Sequence, residues 1–288
     1  ELIDLAASLG VELMEWQKFA LIHTHKIKPD GRWASPINTV VVARQNGKSF
    51  LQQIRILGGL FLWDEPLQIG QAHTLNTSLE QFRQMMWTIE ANDFLAKQVK
   101  KVRLNHGAEE IETMRGTRFM VRAGGSAARG ISRPSTIHLD ELLRMNNMDS
   151  YASLRYTLMA SPNPMLMGYS NAGDNTSVVL NSFRDRALAA IGGVDDNIGY
   201  FEWSSPTDEI SVENARYANP AMGVTIHEDN IRSVLNDPPN VVMSEVLCRW
   251  VVAIQNIVDA SAWNKCLDKS VDLDPEKLTW LAIDFSPD

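Results

Sequence analysis

Apolar positions along this chain recur in two forms. Short runs of consecutive apolar and β-branched residues predict buried strands near 38–43, 67–72, 117–122, 135–139, 165–171 and 199–204. Between them, apolar residues return every three or four positions, which predicts helices near 13–24, 48–61, 75–90, 148–160, 176–190, 211–218 and 228–248. Strands alternating with helices predict an α/β fold: a mostly parallel sheet with helices on both faces. Ser205-Pro206-Thr207-Asp208 and Asp237-Pro238-Pro239-Asn240 punctuate the pattern, and residues 272–276 read as a linker before one last strand at 278–285. Within 205–275 the segments 213–217, 228–235 and 241–250 are amphipathic. The chain shows no internal repeat, heptad array or low-complexity tract.

The first strand runs into a turn with specific chemistry, Val42-Ala43-Arg44-Gln45-Asn46-Gly47-Lys48-Ser49. Strand, short polar turn and helix start in this order aim backbone N–H groups at an anion, and the helix dipole favours negative charge there. The pattern is that of a phosphate loop whose first glycine is replaced by Val42. Lys48 is placed to reach β/γ-phosphates and Ser49 to hold Mg²⁺. An ordinary strand–turn–helix with an exposed lysine has the same local sequence, so a second element is needed.

That element lies 92 residues further on, where the strand Ser135-Thr136-Ile137-His138-Leu139 ends in Asp140-Glu141. An Asp at a strand's carboxyl end can order a metal hydration shell, and a Glu beside it can take a proton from an attacking water. In doubly wound sheets ligands bind beyond the carboxyl ends of the strands, where Gly47 and Asp140 both fall. Together the two elements point to nucleoside triphosphate hydrolysis. Gln17, after Trp16 on the first predicted helix, offers the donor and acceptor that suit an adenine edge, or is a surface amide beside a core indole. Ser170 and Asn171 sit in a polar turn after the 165–171 strand, where they either sense a γ-phosphate or serve turn geometry.

Composition narrows the class. With 288 residues, 44% of them hydrophobic, the chain can bury a sizeable core. The longest apolar stretch, 54–63, is too short to cross a membrane and carries Arg55, and the N-terminus lacks a signal-peptide pattern. Only two cysteines, Cys248 and Cys266, occur, and they read as reduced core thiols. The net charge is −8, yet residues 81–133 hold ten Lys/Arg against five acids, whereas 134–288 hold ten against 22. The basic middle segment is either a local contact for a phosphate backbone or a solvated helix and hairpin.

The succession Trp16-Gln17, Arg44-Gln45-Asn46-Gly47-Lys48-Ser49, Ala128-Arg129-Gly130, Leu139-Asp140-Glu141 and Ser170-Asn171-Ala172-Gly173 resembles the large terminase subunit of tailed bacteriophages, from about residue 12 to the end. The resemblance implies a P-loop NTPase of the additional-strand type, a small helical lid, and the first strand of an RNase H-like nuclease. The corresponding segments are 1–204 for the ATPase, 205–275 for lid and linker, and 276–288 for the start of the nuclease. It implies ATP with Mg²⁺, held by Gln17, Arg44, Gln45, Asn46, Gly47, Lys48, Ser49, Ser170 and Asn171, with Ser49 and Asp140 at the metal. Glu141 activates water, Lys48 and Arg44 stabilise phosphoryl charge, and Arg129 is the finger inserted into a neighbouring subunit, with Arg133 as the competing residue. Ser170 and Asn171 match the motif that couples hydrolysis to movement.

Leu281-Ala282-Ile283-Asp284-Phe285 matches the first nuclease strand, making Asp284 a Mg²⁺ or Mn²⁺ ligand. Two-metal cleavage requires further carboxylates, so these 288 residues alone are expected not to cut DNA. The implied activity is ATP-driven translocation of double-stranded DNA during viral genome packaging. The implied partners are DNA, a portal protein, a small terminase subunit and further copies in a ring, in the host cytoplasm and without a membrane. Two alternatives share parts of this pattern: a superfamily 2 helicase, and a DNA-binding module switched by ATP without turnover. About 115 residues after Asn171 are too few for the helicase's second domain, and Glu141 argues against the switch.

Overall fold

The computed structural model describes residues 1–72, 74–104, 109–123, 133–194 and 197–251. Arg129, Cys266, Asp284 and the strand expected at 278–285 lie outside the described residues. In chain order the elements are α1 (Leu2–Ser8), α2 (Glu15–Thr24), β1 (Ile37–Val41), α3 (Lys48–Phe61), β2 (Leu67–Ala72), α4 (Leu75–Glu90), α5 (Asp93–Ala96), β3 (Val99–Arg103), β4 (Glu110–Thr113), β5 (Arg118–Ala123), β6 (Thr136–Leu139), α6 (Met148–Thr157), β7 (Met165–Ser170), α7 (Val178–Ile191), β8 (Ile198–Glu202), α8 (Val212–Ala218) and α9 (Glu228–Val234). A single eight-stranded sheet has the order β3-β4-β5-β2-β6-β7-β1-β8. The six strands from β5 to β8 are parallel, and β4 and β3 extend the sheet antiparallel. β7 stands between β1, which feeds the 44–49 loop, and β6, which ends at Asp140. That interposed strand defines the additional-strand arrangement, so the expected fold class is the one observed.

Both sheet faces are covered. On one face Val40, Val42, Met165, Met167 and Tyr169 pack under α3 together with Leu2, Trp16 and Leu21 from α1 and α2. On the other, Val41, Ile69, Ile137, Leu139 and Leu166 meet Tyr151 and Leu154 of α6 and Val179, Leu180 and Phe183 of α7. Leu51, Ile54, Leu57 and Leu60 repeat at helical spacing along α3 and are fully buried or nearly so. Each contributes about 1.5–3 kcal/mol through burial, and together they fix the helix whose first turn carries Lys48 and Ser49. α3 approaches the sheet closely at Gly59, where a Cβ would lie 2.4 Å from the Gln68 amide.

Three local features depart from the sequence pattern. α1 precedes the first expected helix, and β3 and β4 form a hairpin in the basic segment, where a solvated hairpin was one reading but no strand bounds were expected. β3 reads Val-Lys-Lys-Val-Arg and is half exposed at a sheet edge, so it lacks the apolar run used to recognise strands. The single helix expected over 228–248 ends at Val234 and is followed by Pro238 and Pro239 and a wide π-type turn at Val242–Val246, because Pro239 cannot donate a helical hydrogen bond.

Much of the basic middle segment is neutralised locally. Lys100 pairs with Glu112, Arg103 and Arg118 with Glu110, Arg115 with Asp64, and Arg83 with Glu80. Residues 205–251 build their own small core from Ala215, Ile231, Val242 and Leu247 and belong to the compact unit Glu1–Val252.

Candidate functional site

The loop leaving β1 folds back on itself around residues with unusual backbone geometry. Gln45 (φ 61°) and Gly47 (φ 92°) are both left-handed. Only glycine fits at 47, since a Cβ would stand 2.8 Å from Gln17 Nε2 and 3.3 Å from the Met14 methyl. Gly47 caps α3 without a side-chain acceptor, which leaves the first-turn N–H groups to an outside anion. Lys48 folds across this loop, its Nζ donating to the carbonyls of Val42 (2.7 Å) and Ala43 (3.0 Å). Burial pushes its pKa down to about 8, partly offset by Cys248, Asp140 and Glu245 nearby.

Asp140 follows β6 directly and is held there by its own N–H, which donates to Gln71 O (2.8 Å). Its Oδ2 accepts from Gln81 Nε2 of α4. Burial raises the carboxyl pKa, and the Glu141 backbone N–H and Gln81 act against that rise. Glu141 is left-handed (φ 51°, ψ 45°), a conformation costing a non-glycine residue about 1–3 kcal/mol and typical of functional sites. Its carboxylate has no hydrogen bond or ion pair among the described residues.

These groups meet in one cavity of about 740 Å³, lined by Arg44, Gln45, Gly47, Lys48, Ser49, Asp140, Glu141, Ser170 and Asn171, with Asn76, Thr77, Glu80, Gln81 and Gln84 of α4 as its far wall. That volume lies within the usual range for small-molecule sites. Lys48 and Glu141 therefore open onto the same cavity. The turn after β7 is tied to the segment that follows Glu141: Ser170 Oγ accepts from Leu143 N–H (3.0 Å), two residues past Glu141.

Several expected ligand residues are engaged within the protein. Gln17 is buried, with Nε2 donating to Gly47 O (3.2 Å) and Oε1 accepting from Met14 N–H (3.0 Å), so both ends of its amide brace the loop. Asn46 is fully buried and donates to Ala43 O, Arg44 O and Asn219 Oδ1 (3.0 Å), while its Oδ1 accepts from Ala221 N–H. It rivets the loop to the end of α8. Arg44 forms an ion pair with Glu245 (3.1 Å), and Asn171 Nδ2 donates to the same carboxylate (2.9 Å). Arg133 lies by a separate cavity with Trp33, Trp63 and Ser135, its Nε donating to Ala160 O (3.4 Å). Arg129 and Asp284 fall outside the described residues.

Glu245, Asn219 and Gln81 were not legible as site residues. Glu245 sits in an acidic segment with no motif, and only the fold brings it to Arg44. Gln81 alone carried a faint signal, a polar position on the helix that follows β2.

No family model matches the chain, and neither does any curated protein. Solved structures do. The HK97 bacteriophage large terminase superposes with a TM-score of 0.71 at 19% identity, covering 89% of this chain and 54% of that one. The large terminase ATPase domain of Thermus phage P74-26 gives 0.59 at 14% identity, with 86% and 98% covered. The large terminase of a thermophilic bacteriophage gives 0.58 at 11%, with 82% and 52% covered. This chain thus spans about half the length of the first and third of these proteins and has the fold of a bacteriophage large terminase ATPase domain.

Proposed function

We propose that the chain is the ATPase portion of a large terminase subunit, hydrolysing ATP to move double-stranded DNA during viral genome packaging. The observation that carries this reading is the meeting of Lys48, Ser49, Asp140 and Glu141 in one cavity at the carboxyl ends of the strands. The residues fit Mg²⁺ with a triphosphate: one half-buried carboxylate and one hydroxyl suit a hard cation that keeps several waters, and no denser ligand cluster occurs among the described residues. When bound, Mg²⁺ neutralises charge on the phosphates and polarises the bond to be broken.

The chain's own groups divide the remaining work. Backbone N–H groups of the 44–49 loop and the start of α3 cradle phosphate oxygens. Lys48 transfers its donors from the Val42 and Ala43 carbonyls to phosphate. Glu141, with no competing partner, accepts a proton from the attacking water. Arg44 leaves Glu245 to reach the phosphates, and because Glu245 also holds Asn171, that exchange touches loop, lid and coupling turn together. Arg129 serves a neighbour's site in trans, which requires a ring of copies. DNA, a portal protein and a small terminase subunit are the partners of that ring in the host cytoplasm.

The test is ATP turnover against protein concentration, with and without double-stranded DNA. Turnover that rises more steeply than linearly and is stimulated by DNA supports the motor reading; a linear, DNA-indifferent rate contradicts it. Lys48→Ala is expected to lose nucleotide binding. Arg129→Ala is expected to lower assembled turnover while leaving monomer affinity intact.

A further inference from the structure

The residue that holds Asp140 comes from an element the motifs do not include. Gln81 lies two turns into α4 and lines the nucleotide cavity. A carboxylate can only accept, so the Gln81 atom facing it is the amide nitrogen. Both partners are fixed from behind. Ala72 N–H, at the end of β2, donates to Ser78 Oγ (3.1 Å), which pins the first turn of α4 to the strand. Phe82 and Met85 bury the adjoining face of the helix beside β5. Asp140 N–H donates to Gln71 O one residue earlier on β2. The Gln81–Asp140 bond therefore spans two elements tied to the same strand end.

The choice of an amide has a chemical consequence. A half-buried carboxylate such as Asp140 is oriented by a donor on its protein side. A lysine or arginine would supply one but would neutralise the charge that attracts a cation. An amide orients the carboxylate and leaves its full negative charge available. Partners of this kind, which hold a metal-binding group without touching the metal, commonly change metal affinity by about 10–100-fold when removed.

We propose that Gln81 is the positioning residue of the metal site: it holds Asp140 in the orientation that receives Mg²⁺, and so places that site under the control of α4. The inference rests on the nucleotide-site reading above. Because Glu80, Gln84, Asn76 and Thr77 of the same helix form the cavity wall, a displacement of α4 acts on Asp140 directly.

The test measures binding of a fluorescent, non-hydrolysable ATP analogue with Mg²⁺ titrated from zero, alongside direct Mn²⁺ binding by electron paramagnetic resonance. Gln81→Leu is expected to raise the Mg²⁺ half-saturation about tenfold or more while leaving metal-free analogue affinity within about twofold. Gln81→Lys, which places a cation on Asp140, is expected to raise it further. Equal loss of metal-free and metal-dependent affinity would mark Gln81 as a packing residue and overturn the proposal, as would an unchanged half-saturation in Gln81→Leu. A wild-type protein that binds no analogue at any Mg²⁺ concentration would instead remove the nucleotide-site reading, and this inference with it.

Discussion

At the scale of single residues, Lys48 shows how the site is poised. Its ammonium is buried against two carbonyls, and its pKa of about 8 lies below the unfolded value of 10.5. Between those values the unfolded chain holds more proton, so the lysine's contribution to stability rises with pH. Holding the charge in place costs the nucleotide-free protein about 3 kcal/mol at pH 7. Denaturant unfolding from pH 7 to 10.5 is therefore expected to show wild type gaining on Lys48→Met by about that amount. A triphosphate reverses the balance by stabilising the ammonium. Nucleotide binding above pH 8 is expected to take up a proton, measurable by calorimetry in buffers of different ionisation enthalpy. The 44–49 loop and Asp140-Glu141, which the structure brings to one cavity, stand out in the sequence because the chemistry proposed for them requires fixed residue types at fixed local spacing. The engagement of Gln17 with Gly47, and of Asn46 with Asn219, does not, since partners 30 and 173 residues apart are brought together only by the fold.

At the scale of elements, α3 links the proposed nucleotide site to a buried polar layer. Arg55, fully buried, donates to Glu65 (2.5 Å) and Thr136 (3.1 Å) and lies over the Trp33 and Trp63 rings at 5.8 and 5.0 Å. Gln68 accepts from Arg55 and pairs with His138 Nε2. Removing one partner of such a pair strands the other charge, so Glu65→Ala is expected to cost about 3–5 kcal/mol in chemical denaturation. The link from the 44–49 loop to residues 212–246 is lighter. Asn219→Ala removes the Asn46 bond and a bond to Val246 O, with an expected cost of about 1–3 kcal/mol and faster hydrogen exchange over 212–246. The apolar strands and α3, α4 and α7 stood out in the sequence by period. The β3–β4 hairpin did not, because an edge strand with one wet face needs few apolar residues. The break after Val234 was signalled by Pro238-Pro239 but outweighed by the amphipathic pattern on either side.

At the scale of the whole molecule, one extended sheet supports both the cavity and the buried ionisable groups that set its tolerance of acid. Partial burial and the nearby Arg55 charge push the His25 pKa down to about 3, and full burial holds His138 well below its usual value. For both, the unfolded chain binds protons that the folded chain does not, so stability falls as pH drops through about 6.5. His25 alone is expected to remove about 5 kcal/mol by pH 3. Equilibrium unfolding should thus show lower stability at pH 5 than at pH 7, with a slope approaching two protons. The fold class could be read from strand–helix alternation. The strand order, with β7 between β1 and β6, was implied only by the family resemblance and not by the local pattern, because crossovers between parallel strands leave no local mark.

The central claim is that Glu141 readies water for attack on a triphosphate gripped by Lys48. Its most direct test is single-turnover ATP hydrolysis by Glu141→Gln against wild type, at saturating protein and double-stranded DNA. Nucleotide affinity is expected to stay within about twofold of wild type, with the hydrolysis rate lower by about a hundredfold or more. Hydrolysis at the wild-type rate in Glu141→Gln would contradict the claim.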